Sequence, residues 1–253
     1  MRLYLIRHAQ SENNIVYDGT DSSPNRVIDP EITNAGHQQS KALGEYLATP
    51  GNEPRQHAFL HDYAPDFGIT HLYCSLMTRA ILTAEHIARA CQLQSEALPL
   101  VFEHKGLYHV GQSGDLEGDK GPGKSYFDDR FPWLQLPPGM NEDGWGEGVV
   151  ESNQAFYQRV ERAYGDLLHR HKDTDDVVAL VTHWGFLDQF INAVVGIDPK
   201  PENMQSDWRA NWVFENTSFS RLDLDNGATN IVYLNRTDHL TPDLKRIPGL
   251  PKP

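Results

Sequence analysis

Cysteine, positive charge and long apolar runs are all scarce in this chain. It has two cysteines, Cys74 and Cys91, too few for a disulfide framework and not spaced as a zinc site. Lysine and arginine number 22 against 35 acidic residues, and the formal charge of -13 argues against a surface for nucleic acid or anionic membranes. No apolar run is long enough for a signal peptide or a membrane span, so we expect a cytoplasmic protein.

The residues that are present favour a well-packed domain. Apolar side chains make up 39% of the chain and aromatic ones 10%, which is enough for a sizeable core and argues against disorder. A length of 253 residues fits one large domain with an insertion, so we take residues 1–253 as a single domain.

Short apolar runs alternate along the chain with segments of helical periodicity. Strands are predicted at 3–6, 69–74, 98–102, 177–181, 213–224 and 229–234. Helices are predicted after an N-cap at Thr33, from a capping Ser75 to Cys91, and at about 151–171 and 185–195. The alternation predicts an α/β fold in which a mostly parallel central sheet is flanked by helices on both faces.

Several stretches lack this periodicity. Residues 8–32 and 49–67 are rich in polar and turn-forming residues and are predicted to be loop-like. Residues 104–150 are too long for an ordinary connection, which predicts an inserted lid that sets specificity. The proline-rich residues 241–253 are predicted to form an extended tail, with a flap over the functional site as the alternative.

Reactive polar residues follow three of the predicted strands. The first strand runs into Arg7 and His8, the second is followed by Arg79 on the opening helix turn, and strand 177–181 runs into His183. Open α/β sheets bind ligands at the carboxyl ends of their strands, so we expect these side chains to share one crevice.

Four ordered segments carry a resemblance to a known family. Residues 7–14 (RHAQSENN), 32–39 (ITNAGHQQ), 75–84 (SLMTRAILTA) and 181–185 (VTHWG) resemble the signatures of the histidine phosphatase superfamily, also called phosphoglycerate-mutase-like. Their order and spacing agree with that family from residue 3 to about 195. The resemblance implies a metal-independent phosphohydrolase with no cofactor, which acts on a small phosphorylated substrate.

The resemblance also implies a role for each site residue. His8 is the nucleophile that forms a phosphohistidine, and Arg7, Arg79 and His183 bind the phosphoryl group, which spreads negative charge over its oxygens. Two parallel hydrogen bonds from arginine suit that task. Asn14 is expected to be a further donor.

The proton donor for the leaving group is expected to be Glu103, because the mutase-like branch of the family has a glutamate soon after the third strand. The acid-phosphatase branch instead has an aspartate directly after the second histidine, where this chain has Trp184. The chain also departs from the family at Ala9, which replaces a glycine. Alanine is tolerated there if the local backbone angles suit it.

Three functions remain open at this stage. A phosphatase for a small phosphomonoester is favoured over a phosphoglycerate mutase, because residues 103–109 (EHKGLYH) lack the arginine of the mutase pattern and offer Lys105 instead. A non-catalytic relative that binds phosphorylated ligands or protein partners is disfavoured, because the nucleophile, both arginines and the second histidine are all present. His57 and His61 lack a convincing third ligand, so no metal site is expected. The substrate and the oligomeric state stay open.

Overall fold

A computed structural model describes residues 1–16, 26–53, 66–171, 174–197, 211–225 and 228–245 of the chain. The predictions for His57, His61 and the end of the tail fall outside these residues. Among the described helices, none is long and apolar enough to cross a membrane.

The centre of the structure is a seven-stranded sheet. The strands, in chain order, are β1 (Arg2–Arg7), β2 (His71–Ser75), β3 (Ser95–Leu98), β4 (Leu107–Val110), β5 (Leu116–Asp119), β6 (Leu134–Gln135), β7 (Val177–Thr182), β8 (Phe219–Asp225) and β9 (Ala228–Arg236). The order in the large sheet is β6-β3-β2-β7-β1-β8-β9. The pairs from β6 to β1 are parallel, and β8 and β9 close one edge in antiparallel fashion.

Helices cover both faces of this sheet. They are α1 (Glu12–Val16), α2 (Asn34–Ala48), α3 (Thr78–Cys91), α4 (Lys124–Arg130), α5 (Asn153–His171), α6 (Trp184–Val194) and α7 (Pro242–Lys245). Successive residues of a strand point to opposite faces. Accordingly, Tyr4 and Ile6 of β1 pack with residues of α2 and α3, while Leu3 and Leu5 pack with residues of α5 and α6. The predicted α/β class is confirmed.

The third strand was predicted wrongly. It covers Ser95–Leu98 rather than 98–102, and Pro99 follows it directly. Proline has no backbone N–H to donate to a ladder, so the strand ends there. The region predicted as an 8–32 loop contains the short helix α1 and, at residue 32, an isolated bridge to Ser11.

The start of α3 also differs from the prediction. Ser75 lies in β2, and the helix begins at Thr78 after Met77, whose side chain makes no capping bond. The cap comes from Asp29, whose carboxylate accepts hydrogen bonds from the Thr78 backbone N–H at 3.1 Å and from its hydroxyl at 2.6 Å. At the other predicted N-cap, Thr33 accepts from the backbone N–H of Gly36, as expected.

Residues 104–150 contain local structure of their own. Strands β4 and β5 form a separate two-stranded sheet, α4 follows, and β6 adds a short edge strand beside β3. The insertion is therefore partly integrated into the main sheet, and its role as a lid stays a prediction.

Candidate active site

The carboxyl ends of β1, β2 and β7 bring the predicted site residues together. Arg7 is the last residue of β1, and the backbone N–H of His8 donates to the Thr182 carbonyl at the end of β7, at 2.8 Å. Arg79 lies in the first turn of α3, just after β2. The rings of His8 and His183 approach with centroids 5.2 Å apart.

The partners of His8 determine which of its ring nitrogens carries the proton. Nδ1 lies 2.7 Å from the Ala9 carbonyl, which can only accept, so Nδ1 carries a hydrogen. Nε2 accepts from Nε of Arg79 at 3.2 Å and therefore presents its lone pair. Burial, and then the charges of Arg79 and Arg7, hold the pKa of His8 well below its usual range. The imidazole is thus neutral near pH 7, as a nucleophile requires.

Contacts with Phe214 and Trp184 fix the position of the Arg7 side chain. Its Nη1 donates to the Phe214 carbonyl at 2.6 Å, and its guanidinium carbon lies 5.6 Å from the centre of the Trp184 ring. Burial lowers the pKa of Arg7 to about 10, while the charges of Glu103 and Glu215 oppose that change. The group remains a cation at neutral pH.

His183 presents two ring nitrogens to the same space. It is fully buried and immediately precedes α6. Within the described part of the chain, neither ring nitrogen has a hydrogen-bond partner. Burial, followed by the charge of Arg79, holds its pKa well below the usual range. A buried, unpartnered imidazole costs free energy unless a ligand satisfies it, which makes His183 a candidate contact.

Glu103 is placed by the N-terminus of α6. Its Oε1 accepts from the backbone N–H groups of His104 at 2.9 Å and Phe186 at 3.2 Å, and Oε2 accepts from that of Gly185 at 3.3 Å. A Cβ atom at Gly185 would lie only 2.6 Å from Oε1. Helix N-termini favour carboxylates, so the start of α6 fixes this side chain beside the cradle, the name used below for the group formed by Arg7, His8, Arg79 and His183.

A buried arginine secures the segment that carries Glu103. Nη1 of Arg159 donates to the carbonyls of Leu100 and Phe102, both at 2.8 Å, and its other nitrogens form a bidentate pair with Glu151 at 2.7 Å. Because this segment is not a strand, these bonds supply the carbonyl partners that a sheet would have given. Sequence reasoning missed Arg159.

Asn14 is anchored by its amide oxygen. Oδ1 accepts from the backbone N–H of Ser11 at 3.0 Å, from its hydroxyl at 3.2 Å and from Nδ2 of Asn216 at 3.2 Å. Asn216 also donates to the His8 carbonyl, at 3.0 Å. Among the described residues nothing accepts from Nδ2 of Asn14, which makes this amide group a candidate donor.

A threonine joins the loop that carries His8 and Ala9 to α3 by hydrogen bonds. The Thr83 hydroxyl accepts from the Ala9 backbone N–H at 3.0 Å and donates to the Arg79 carbonyl at 2.7 Å. Ala9 is completely buried, and its backbone is outside the left-handed region. Alanine therefore fits where the family has glycine. Thr83 belongs to a recognised motif, but its role could not be read from spacing.

Arg26 lies near the same cradle and was also missed. Its guanidinium stacks 4.0 Å above the ring of Tyr108 in β4, and its charge acts on Arg79. Its Nε is buried and has no hydrogen-bond partner among the described residues. A third guanidinium and one ring from the insertion thus lie beside the two predicted arginines.

Comparison with known proteins identifies the family of this chain. A family model described as "Histidine phosphatase superfamily (branch 1)" matches residues 52–237, a range that begins downstream of Arg7 and His8. The chain belongs to the histidine phosphatase superfamily. No curated protein matches it.

Several solved structures share the fold. The alpha-ribazole phosphatase from Shigella flexneri is 20% identical, with 94% of this chain and 97% of that one covered and a TM-score of 0.55. A phosphoserine phosphatase from Entamoeba histolytica is 17% identical, with 95% and 99% covered and a TM-score of 0.54. A mycobacterial glucosyl-3-phosphoglycerate phosphatase is 18% identical, with 88% and 90% covered and a TM-score of 0.51. At these identities the likeness shows the fold.

Proposed function

We propose that this chain is a phosphatase that hydrolyses a small phosphomonoester without a metal ion, through a phosphohistidine on His8. The observation that carries the proposal is the fixed orientation of the His8 ring. The Ala9 carbonyl requires a proton on Nδ1, and Arg79 requires a lone pair on Nε2. The nucleophilic nitrogen therefore faces a cation that can hold the phosphoryl group it attacks.

In the first step the Nε–H of Arg79 turns from Nε2 of His8 to a phosphoryl oxygen, the freed lone pair of Nε2 attacks phosphorus, and the alcohol leaves. Negative charge on the phosphoryl oxygens is met by the guanidinium groups of Arg7 and Arg79, with His183 and Asn14 as further donors. His8, Arg79 and His183 are already buried at the site, so little further desolvation is needed as the charge develops.

Glu103 acts twice, once as the phosphohistidine forms and once as it is hydrolysed. It protonates the leaving alkoxide and then takes a proton from the water that attacks the phosphohistidine, which is worth roughly 10²–10⁴ in rate. The position supports this role, because its carboxylate lies close enough to affect the pKa of both Arg7 and Arg79. Its bonds to α6 and the Arg159 clamp on its segment keep it there.

The residues around the cradle support a small substrate. Arg26 and Tyr108 lie beside Arg79, and Trp184 lies over Arg7, so large side chains border the phosphate-binding groups. Tyr108 and Lys105 belong to the 104–150 insertion, which we propose to be the specificity element. The names of the structural neighbours, which include phosphatases for alpha-ribazole phosphate and phosphoserine, support a small phosphorylated substrate.

The test is hydrolysis of p-nitrophenyl phosphate in excess chelator, with the native chain, His8→Ala and the control His169→Ala. His169 is exposed on α5, away from the site. We expect chelator-resistant turnover that falls more than about 10³-fold in His8→Ala and is unchanged in the control. Turnover that needs added metal, or that survives His8→Ala, contradicts the proposal.

Two further outcomes identify the alternatives. Interconversion of phosphoglycerates faster than their hydrolysis would identify a mutase. No turnover of p-nitrophenyl phosphate or of a panel of small phosphomonoesters would contradict a phosphatase and favour the non-catalytic relative.

A further inference from the structure

A cluster of side chains that can bind a metal lies at the amino-terminal ends of β2 and β7, opposite the candidate active site. His71 is the first residue of β2, His171 the last of α5, and Asp176 immediately precedes β7. Strand β7 spans six residues, or about 20 Å, and His183 lies beyond its other end. The cluster therefore shares no residue with the catalytic cradle.

The three side chains converge on one point. Within the described part of the chain they form a group in which one ligand atom from each lies within 4.8 Å of the others. One oxygen of Asp176 is 2.9 Å from Nδ1 of His171, and the other is 3.8 Å from Nδ1 of His71. Ligand atoms around tetrahedral zinc lie roughly 3.3 Å apart, because bonds to zinc are about 2.0–2.2 Å. The two observed distances bracket that value.

Contacts with Tyr73 and His71 orient the ring of the buried His171. Nε2 of His171 lies 3.1 Å from the hydroxyl of Tyr73, and the two rings of His71 and His171 meet edge to face with centroids 4.9 Å apart. A metal-bound histidine usually donates its second N–H to an oxygen, which fixes the ring and its tautomer. Without an ion, Nδ1 of His171 lies in hydrogen-bond contact with Asp176 at 2.9 Å. A bound metal would take the place of the proton at Nδ1, and the ring proton would move to Nε2, where the Tyr73 oxygen accepts it.

His71 can also exchange its hydrogen bond to Thr70 for a bond to a metal at little cost in free energy. Its Nδ1 lies 2.8 Å from the Thr70 hydroxyl. That hydroxyl already donates to the Val177 carbonyl at 3.1 Å and accepts from the Val177 N–H at 3.0 Å. Moving His71 onto a metal therefore leaves Thr70 hydrogen-bonded.

Charge and access suit a divalent ion. One carboxylate and two imidazoles give a nitrogen and oxygen donor set that suits Zn²⁺, Co²⁺ or Ni²⁺ more than Mg²⁺ or Ca²⁺. The side chains of His71 and Asp176 are 41% and 28% exposed, which leaves a path for the ion and a position for water.

We propose that His71, His171 and Asp176 form a binding site for a divalent transition-metal ion, with Tyr73 as the residue that orients His171. The bound ion joins the C-terminus of α5 to the starts of β2 and β7. Its role is structural, because it lies far from His8 and from the groups that contact the phosphate.

The test is a Co²⁺ titration of chelator-treated, desalted full-length chain, followed by visible absorption, with Zn²⁺ calorimetry in parallel. We expect one saturable site with the intense absorption of four-coordinate Co²⁺. His71→Ala and Asp176→Asn should abolish it, and Tyr73→Phe should weaken it roughly tenfold. Because His71 is half-exposed, His71→Ala is expected to fold, which a circular dichroism spectrum checks.

Two controls keep this test separate from the catalytic proposal. His169→Ala removes an exposed histidine of the same helix and should leave metal binding unchanged. His8→Ala should also bind normally, and His71→Ala should keep full phosphatase activity in chelator. Saturable binding that survives both His71→Ala and Asp176→Asn, binding that is lost in His8→Ala, or no binding by the native chain overturns the proposal.

Discussion

At the scale of single residues, the candidate site depends on hydrogen bonds whose direction is set by the partner. A carbonyl and a guanidinium on opposite sides of His8 leave one tautomer possible. Thr83 uses its single hydroxyl in both senses, as acceptor from Ala9 and as donor to Arg79. These contacts determine which nitrogen reacts and where it points.

The first prediction concerns the protonation of His8. Its imidazole signal in NMR spectra should not titrate between about pH 8 and pH 6, whereas histidines of the urea-unfolded chain titrate near pH 6.5. Arg79→Met should raise the pKa of His8 only in part, because burial is the larger cause of its depression. A midpoint near 6.5 in the folded native chain would contradict the assignment.

The second prediction concerns Thr83. Thr83→Val keeps the side-chain shape but removes the acceptor for the Ala9 N–H, so the free energy of unfolding should fall by about 1–3 kcal/mol. The value of kcat should fall as well, because the Ala9 carbonyl loses its fixed position beside His8. Urea unfolding and steady-state kinetics measure both effects. Thr49→Val, at an exposed position, should change stability by less than about 0.5 kcal/mol.

At the scale of secondary-structure elements, the sequence predicts most of the periodic segments, but it does not predict how their ends are joined. Apolar periodicity locates β1, β7, α3 and α5 because the signal is local. The Asp29 cap on Thr78 joins residues 49 apart, and the Arg159 bond to the Glu103 carbonyl joins residues 56 apart. Such contacts have no period, so sequence reasoning placed a cap on Ser75 and missed the clamp.

The third prediction concerns that clamp. Arg159→Met leaves Glu151 buried without its partner and should lower the free energy of unfolding by about 3–5 kcal/mol. It should also lower kcat, because the segment that carries Glu103 loses its carbonyl partners. Chemical denaturation and turnover at a temperature where the variant stays folded provide the two measurements.

Matched variants separate stability from positioning for Arg159. Arg162→Met removes an exposed arginine from the same helix and should change neither quantity. Adding Glu151→Met to Arg159→Met should recover part of the stability, because no buried charge is then unpaired. It should not recover kcat, and full recovery would show that Arg159 has only a stabilising role.

At the scale of the whole molecule, the fold places two clusters of polar side chains at opposite ends of the strands of one mostly parallel sheet. The proposed phosphate-binding residues lie at the carboxyl ends of β1, β2 and β7, and the proposed metal site lies at the starts of β2 and β7. Strand alternation predicts this class of fold and the convergence of Arg7, Arg79 and His183. The arrangement of 104–150 was not predictable, because its short elements lack periodicity.

The fourth prediction concerns stability against pH. Burial holds the pKa of His8 and His183 well below the usual range and lowers that of His239 to about 4. These groups stay neutral in the folded chain while they protonate in the unfolded chain below about pH 6.5. The unfolded state then binds more protons, so stability falls as pH falls through that value.

The size of this effect is about 1.4 kcal/mol for each of the three histidines at pH 5.5 relative to neutral pH. Urea unfolding at a series of pH values measures it. His239→Gln should make the slope between about pH 6.5 and 5.5 shallower without removing it, because burial also lowers the pKa of His86 and His104. A free energy of unfolding that is constant over that range would contradict the burial of neutral histidines.

The central claim, a phosphohistidine on His8, is tested most directly by trapping it. Glu103→Gln with ³²P-labelled p-nitrophenyl phosphate suits the purpose, because p-nitrophenolate leaves without a proton but water attack still needs the base. After an alkaline quench, mass spectrometry of the digested chain should locate the phosphate on His8. Label on another residue, or continued release of p-nitrophenol with no label on His8, would contradict the account.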